Sequence, residues 1–233
     1  MSSYTQPLST SIPHALRDVA WFAFGSAVAF FLPFLGVSVL ELPHDLYYLA
    51  YFVVTLGLLA AWTRVEHVDV RGALRRQWVW SVAVGVILGV VLAFNVFNTA
   101  DSTPRPHGAY FLFELAWRGV GYGIVDTLLL TAFPCLVAYR LLHGRIDGIV
   151  GRLRYTALAL PLVLVITATY HAGYPQYRDD GLSRPEIGNT LISIPTFVTA
   201  NPVGSVIAHV SQHVAAVTHG YESRIFNPPV TKA

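Results

Sequence analysis

The stretch FELAWRGVGYGIVD, residues 113–126, places three ionisable side chains inside a long apolar run. Glu114 and Arg118 are four residues apart, so they share one face of a helix, and Asp126 follows two turns later. A charged side chain inside a bilayer is costly unless it meets a partner or a water-filled cavity. These groups are therefore candidates for a functional site.

Three histidines in two later apolar runs extend this set. His171 lies near the end of one run, and His209 and His213 are four residues apart in the next. Carboxylate and imidazole groups are common general acids and bases in enzymes, and the same groups bind zinc. Three separate segments thus contribute polar groups that must find one another in an apolar interior.

The composition places these residues in a membrane protein. Of the 233 residues, 54% are hydrophobic and only 12% are charged, whereas a soluble domain carries about 25% charged residues. The formal net charge is +2, and no basic cluster indicates a nucleic-acid partner. Cys135 is the only cysteine, which excludes an intramolecular disulfide and a cysteine-based metal site.

Six stretches are long and apolar enough to cross a bilayer, which takes about 20 residues. They predict an all-α, polytopic transmembrane helical bundle that forms one integral membrane domain over residues 1–233, with polar tails at 1–17 and 221–233. The predicted spans are 18–40, 46–63, 78–98, 109–139, 155–174 and 188–218.

The basic residues predict the orientation of the bundle. They concentrate in the loops after the second and fourth spans, which are therefore expected to be cytoplasmic. With six spans, both termini are then cytoplasmic, and we expect an integral protein of a prokaryotic cell membrane. The basic residues of these two loops are Arg64, Arg71, Arg75, Arg76, Arg140, Arg145, Arg152 and Arg154.

The last predicted span is interrupted near Pro202. Asn201 is a good N-cap and proline suits the first helical position, so a helix is expected to begin at about residue 202. The preceding stretch, GNTLISIPTFVTA, is too short to cross alone and is expected to be re-entrant or interfacial, with non-helical backbone at 199–201. Such backbone is tolerated only against protein or a water-filled cavity.

The expected depths of three site residues agree. At 1.5 Å per residue, Glu114, His171 and His209 lie about 7, 5 and 10 Å from the outer surface if span six starts there. They are expected to face one water-reachable cavity, which Arg118 supports by bracing the carboxylate. Asp126 is about 80° around the helix from Arg118 and is expected outside the site.

Three motifs in this order resemble those of the CPBP family of intramembrane proteases, which includes the CAAX prenyl endopeptidases and bacteriocin-processing or immunity proteins. The family carries Glu-Glu-x-x-x-Arg, Phe-x-x-x-His and His-x-x-x-Asn on successive membrane helices. Here FELAWRG contains Glu114 and Arg118, TATYH ends in His171, and HVSQH begins with His209 and ends with His213. The resemblance covers about residues 109–218.

The resemblance implies an intramembrane endopeptidase that cleaves a membrane-associated or lipidated polypeptide, with membrane lipid as its surroundings. Glu114 would activate water, and His171, His209 and His213 would complete the catalytic set. Three positions depart from the family pattern: Phe113 stands in place of the first Glu, Thr167 in place of Phe, and His213 in place of Asn.

Several alternatives stay open from the sequence. A glutamate mechanism needs no cofactor, whereas Glu114 with the three histidines offers a ligand set suited to a divalent metal such as zinc. Phe113 favours an inactive relative that binds a membrane partner as an immunity or assembly factor. A proton-coupled transporter is a further alternative, although the chain shows no internal repeat. The pair Gly85 and Gly89 either permits close helix packing or arises by chance.

Overall fold

A computed structural model describes residues 12–222 of the chain, except for the side chains of residues 12, 13, 178 and 179. The described residues form a helical bundle without a named strand, which confirms the predicted all-α fold class. The helices are α1 (Ile12–Pro33), α2 (His44–Val65), α3 (Val70–Arg75), α4 (Trp78–Thr99), α5 (Gly108–Leu141), α6 (Gly148–Ala172), α7 (Gln176–Asp180), α8 (Ser183–Thr199) and α9 (Val203–His219).

Five of these helices are long and apolar enough to cross a membrane, namely α1, α2, α4, α5 and α6. The chain is therefore an integral membrane protein by length and composition of its helices. Two helices contain π-helical turns: α1 continues as a π-helix over Phe34–Val39, and α5 is π-helical over Leu115–Gly121 and Leu128–Ala132. Helix α1 is described from Ile12 and includes the last residues of the predicted polar tail 1–17.

An ion-pair network marks one end of the bundle, which we call the basic end. Arg17 lies 2.8 Å from Glu66, and Arg140 lies 2.8 Å from Asp18. Trp21 also donates a hydrogen bond to Glu66. The start of α1, the end of α2 and the end of α5 therefore meet at this end.

The opposite end of the bundle, called the far end here, collects the other helix termini. Ser38, after α1, donates a hydrogen bond to the carbonyl of Gly173, after α6. The ring of His219, at the end of α9, lies 3.1 Å from the carbonyl of Ala100, after α4. Helices α4, α6 and α9 thus all run from the basic end to the far end.

The interrupted span 188–218 consists of two helices that run in opposite directions. Helix α8 ends at Thr199, Ala200 adopts a left-handed conformation with φ 52°, and α9 begins at Val203. Asn201 fixes the turn at the basic end, because its amide nitrogen donates to the carbonyls of Leu74 and Arg76. The predicted helix start near residue 202 and the break before it are confirmed, and the stretch expected to be re-entrant or interfacial forms a helix up to Thr199.

This turn changes the predicted path of the chain. Each of the two helices has 17 residues, or about 26 Å at 1.5 Å per residue. The described chain begins at the basic end and finishes at the far end, where Glu222 donates its backbone N–H to Thr103. The termini themselves, 1–11 and 223–233, lie outside the described residues, so their cytoplasmic location stays a prediction.

Small residues bring α4 and α9 close together. A Cβ added at Gly85 would lie 2.4 Å from the backbone of Gly204, and one at Gly89 would lie 2.7 Å from Ser211 Oγ. The pair Gly85 and Gly89 therefore faces α9, which is the close-packing interpretation of the GxxxG spacing.

Candidate functional site

The described part of the bundle contains one cluster of residues able to share a metal ion or a proton. It consists of Asp126 on α5 with His209 and His213 on α9, and their ligand atoms all lie within 4.8 Å of one another. The three residues are buried, with 5%, 5% and 2% of their surface exposed. We call this group the Asp–His–His cluster.

Glycines on α5 allow α9 to approach closely enough to form the cluster. A Cβ at Gly123 would lie 3.1 Å from Val210 Cα, and one at Gly119 would lie 3.2 Å from the Val214 side chain. The two valines follow the two cluster histidines by one residue in the sequence. The small residues of the sequence GVGYG thus set the distance between the two helices that carry the site.

The tautomer of His209 follows from its hydrogen-bond network. Thr127 Oγ1 lies 2.6 Å from the carbonyl of Gly123, which can only accept, so the threonine hydroxyl donates there. The same oxygen lies 3.0 Å from His209 Nδ1 and must accept from it. In neutral His209 the proton is therefore on Nδ1, and Nε2 presents a lone pair to the cluster.

The lone pair of His209 faces the other imidazole. His209 Nε2 lies 2.9 Å from His213 Nε2. Because one nitrogen must donate in a hydrogen bond between them, His213 carries its proton on Nε2 when the cluster holds no other cation. The ring of Tyr122 packs edge-on against His213, with 4.9 Å between ring centroids, and holds it in place.

Asp126 completes the cluster with a fixed carboxylate. Tyr51 donates a hydrogen bond of 2.8 Å to Oδ1. The other oxygen, Oδ2, lies 3.6 Å from His209 Nε2. The hydroxyl of Tyr51 thus orients the carboxylate, so that one oxygen is bound and the other points to the histidines.

Three possible ligand atoms therefore converge in an apolar interior, namely Asp126 Oδ2 and the Nε2 atoms of His209 and His213, the last of which carries a proton when no metal is bound. Such an arrangement is stable when a proton or a metal cation lies between the acceptors. A carboxylate and two imidazoles are ligands that zinc accepts, and Thr127 and Tyr51 fix two of them from outside, as is common around metal ligands. These three residues are thus the ones that could hold a divalent metal.

Glu114 does not belong to this cluster. It is buried and lies 3.5 Å from Arg118 Nη1, at the limit of a hydrogen bond. Arg118 also donates to the carbonyl of Tyr221 and places its guanidinium 4.3 Å from the centre of that ring. The predicted ion pair between Arg118 and Glu114 is therefore present. The pair lies toward the far end of the bundle, beside the segment that follows α9.

His171 also lies outside the group of three ligand residues. Its Nδ1 lies 2.8 Å from the carbonyl of Thr167, so Nδ1 donates and Nε2 is the acceptor in the neutral ring. The ring packs edge-on against Tyr170 and Tyr177.

The structure thus corrects two expectations about the site. Asp126, expected outside the site, joins His209 and His213, because α9 packs on α5 beside Gly119 and Gly123. Glu114 and His209 were expected at one depth, but α9 begins at the basic end, and His209 is six residues along it, about 9 Å from that end. Of the predicted set, His209 and His213 are brought together.

Phe113, at the position of the first motif Glu, points away from the cluster. Its side chain is 44% exposed on the outside of the bundle. It stacks with Tyr110 and Trp117, which belong to the same helix. A carboxylate at this position would therefore face outward in this fold.

Buried tyrosines near the cluster form a hydroxyl chain that sequence patterns did not indicate. Tyr47 and Tyr174 hydroxyls lie 2.5 Å apart, Tyr174 donates 2.6 Å to Tyr170, and Tyr170 lies 3.0 Å from Tyr122. All four side chains are almost completely buried. The sequence signal for this chain is the four-residue spacing of Tyr170 and Tyr174.

Comparison of this chain with protein-family models, with curated proteins and with solved structures finds no match. The function of the site is therefore argued from its own geometry.

Proposed function

We propose that the protein is an intramembrane hydrolase in which the Asp–His–His cluster activates water. One observation carries this proposal: Asp126 Oδ2 and two imidazole Nε2 atoms converge within 4.8 Å in the interior of an apolar bundle. A carboxylate with two histidines offers both a general base and a general acid. The carboxylate role that the motif resemblance gives to Glu114 belongs in this proposal to Asp126.

The chemistry follows from the fixed protons of the cluster. Asp126 Oδ2 is free of the Tyr51 hydrogen bond and accepts the proton of the attacking water. Asp126 then returns this proton to the leaving amine nitrogen, while Thr127 keeps His209 in the tautomer that accepts from the Nε2–H of His213. His171, whose Nε2 is the acceptor in the neutral ring, keeps in this proposal the catalytic role that the motif resemblance gives it.

A divalent metal such as zinc fits the same three residues. Asp126, His209 and His213 would hold it, and it would supply a Lewis acid that activates water for hydrolysis. The proposal covers both forms, because a proton and a metal are alternative partners of the same acceptor atoms. Metal analysis of the purified protein separates the two.

The substrate class rests on the membrane location and on the three-motif resemblance. The cluster lies in the middle of α9 and of α5, so its substrate must reach the interior of the bundle. A membrane-anchored or lipidated polypeptide is such a substrate. The CPBP-like order of Glu114, His171 and His209 supports a peptide bond as the target.

The proposal is tested by mapping new amino termini in membranes of cells that express the protein. Wild type is expected to generate new termini in or next to apolar segments of membrane-anchored proteins. Asp126→Asn and His209→Ala are expected to lower their yield by about 100-fold or more, as loss of a general base does. His219→Ala, on the same helix but at the far end, and Asp101→Asn, in an exposed loop, are the matched controls.

Two outcomes of this experiment contradict the proposal. One is wild-type membranes without new termini, and the other is full cleavage by Asp126→Asn. Each variant is compared at equal amounts of folded protein, which gel filtration in detergent measures. If one of these variants does not fold, His213→Asn is tested in its place, because asparagine is the residue of the family motif. The proposal predicts that this variant also loses cleavage.

A second candidate function, proton-coupled transport, is favoured by the hydroxyl chain. Tyr47, Tyr174, Tyr170 and Tyr122 link the far end of the bundle to the neighbourhood of His213. Proton flux into proteoliposomes is measured with an enclosed pH-sensitive dye. Flux by wild type that is lost in Tyr174→Phe would favour this function.

The alternative of an inactive relative predicts neither cleavage nor proton flux. Phe113→Glu would not restore activity, because position 113 faces outward.

A further inference from the structure

A cavity of about 570 Å³ opens at the basic end of the bundle, away from the Asp–His–His cluster. It lies between the first two turns of α6 and the last turn of α8. Its walls combine polar and apolar side chains. They include Gln77, Asp147, Arg152, Leu153, Phe197 and Val198.

Arg152 provides the strongest sign that the cavity binds an anion. Its Nη1 atom is buried and has no hydrogen-bond partner among the described residues. Within the same part of the chain, Arg152 forms no ion pair, although Asp147 lines the same cavity. An unpaired guanidinium nitrogen shielded from water is costly, and a bound anion would satisfy it.

The start of α6 adds donors beside this arginine. The helix has 25 residues and begins at Gly148, and the side chain of Asp147 makes no capping hydrogen bond to it. Its first backbone N–H groups therefore have no intrahelical partner, and such groups favour phosphate. Asp147 is exposed to solvent, so water and salt screen its repulsion of an anion more than they screen the attraction of Arg152.

The apolar walls of the cavity continue onto the outer surface of the bundle. Leu153 is 64% exposed and Val198 is 54% exposed, while Phe197 closes the inner wall. Two exposed tryptophans, Trp78 and Trp80, begin the neighbouring helix α4. Tryptophans at a helix end are typical of the membrane–water interface, so the cavity lies where head groups and acyl chains meet.

We propose that this cavity binds the phosphate group of an anionic phospholipid. Arg152, Gln77 and the first N–H groups of α6 hold the phosphate, and an acyl chain lies along Leu153 and Val198. Basic pockets between membrane helices are suited to such head groups. The membrane lipid expected as a partner thus acquires one specific site, which is independent of the proposed hydrolase function.

Native mass spectrometry of the full chain in detergent tests the proposal with three probes: phosphatidylglycerol, phosphatidylcholine and soluble glycerol 3-phosphate. Wild type is expected to retain phosphatidylglycerol in preference to phosphatidylcholine. Arg152→Gln is expected to weaken that binding at least about fivefold, since one interfacial arginine contributes about 1 kcal/mol. Arg152→Lys keeps the positive charge and is expected to retain part of the preference for phosphatidylglycerol. It provides a second variant in case Arg152→Gln does not fold.

Arg154→Gln is the matched control, because Arg154 is exposed and lies on the same helix outside the cavity. The proposal is overturned if this control weakens phosphatidylglycerol binding as much as Arg152→Gln does. Equal retention of phosphatidylcholine would also overturn it, because the apolar wall alone would then explain binding. Displacement of the lipid by an equal concentration of glycerol 3-phosphate would identify a site for a free anion instead.

Discussion

Among the single residues, Asp126 and Glu114 differ in what surrounds their carboxylates. Glu114 is next to a guanidinium, which neutralises it within its own helix. Asp126 has a tyrosine hydroxyl on one oxygen and imidazole nitrogens near the other. A carboxylate already paired with a cation is a structural group, whereas one directed at lone pairs can take up and release a proton or bind a metal. The geometry therefore favours Asp126 as the reactive residue.

Thr127 is a positioning residue, and its role can be tested by substitution. Thr127→Val removes the acceptor of His209 Nδ1–H, so His209 loses its fixed tautomer and orientation. The rate of cleavage, or the affinity for a metal, is expected to fall by about 10- to 100-fold. Thr127→Ser retains the hydroxyl and is expected to remain close to wild type. Equal loss in both variants would mean that the methyl group, and thus packing, is what matters.

Tyr51 stabilises the fold through the same carboxylate. Tyr51→Phe leaves Asp126 Oδ1 without its 2.8 Å donor in the bundle interior. The free energy of unfolding is expected to fall by about 1–3 kcal/mol. Thermal unfolding in detergent measures the change, with Tyr139→Phe at the basic end as the control. A stability loss no greater than that of the control would contradict the hydrogen bond.

Sequence spacing predicted part of this residue-scale arrangement. The four-residue spacing of His209 and His213 correctly put both on one helix face. The place of Asp126 was missed, because the level at which α9 meets α5 depends on the direction of α9 and on packing at Gly119 and Gly123, which spacing along one helix does not show.

At the scale of helices, close contact between α9 and its neighbours holds the site. Helix α4 approaches α9 through Gly85, and α5 approaches it through Gly119 and Gly123. Hydropathy predicted α1, α2, α4, α5 and α6, although α1 and α6 begin six and seven residues earlier than expected. It did not separate α8 from α9, because the apolar run is continuous there. The turn between them depends on Asn201 and carbonyls more than a hundred residues away.

Substitution of Gly85 tests the helix contact. In Gly85→Ala the new Cβ would approach the Gly204 backbone to 2.4 Å, so the two helices must separate. Overpacking of this kind is expected to lower the free energy of unfolding by about 1–3 kcal/mol. Gly57→Ala is the matched control, since nothing lies within 4 Å of a Cβ at Gly57. Equal unfolding midpoints for the two variants would contradict the packing described.

For the whole molecule, the decisive feature is the number of passes through the bundle. Six spans would return the chain to the side where it began. The described chain instead ends at the far end, because α8 and α9 each run through the bundle separately. The orientation expected from the basic loops remains a prediction, and it concerns which end of the bundle faces the cytoplasm.

Cysteine accessibility tests this topology. With Cys135 replaced by alanine, single cysteines are introduced at positions 75, 145, 105 and 222. A membrane-impermeant thiol reagent added to intact cells is expected to label 105 and 222 but not 75 and 145, if the basic end is cytoplasmic. Labelling of positions 222, 75 and 145 from the same side of the membrane would contradict this topology and support a path with six spans.

The most direct test of the site is a comparison of Asp126→Asn with Glu114→Gln in the assay for new amino termini, at equal amounts of folded protein. The geometry predicts that Asp126→Asn abolishes cleavage and that Glu114→Gln retains it, with a loss confined to stability. The motif resemblance taken alone predicts the opposite order. Cleavage by Asp126→Asn, together with its loss in folded Glu114→Gln, would contradict the assignment of the Asp–His–His cluster as the reactive centre.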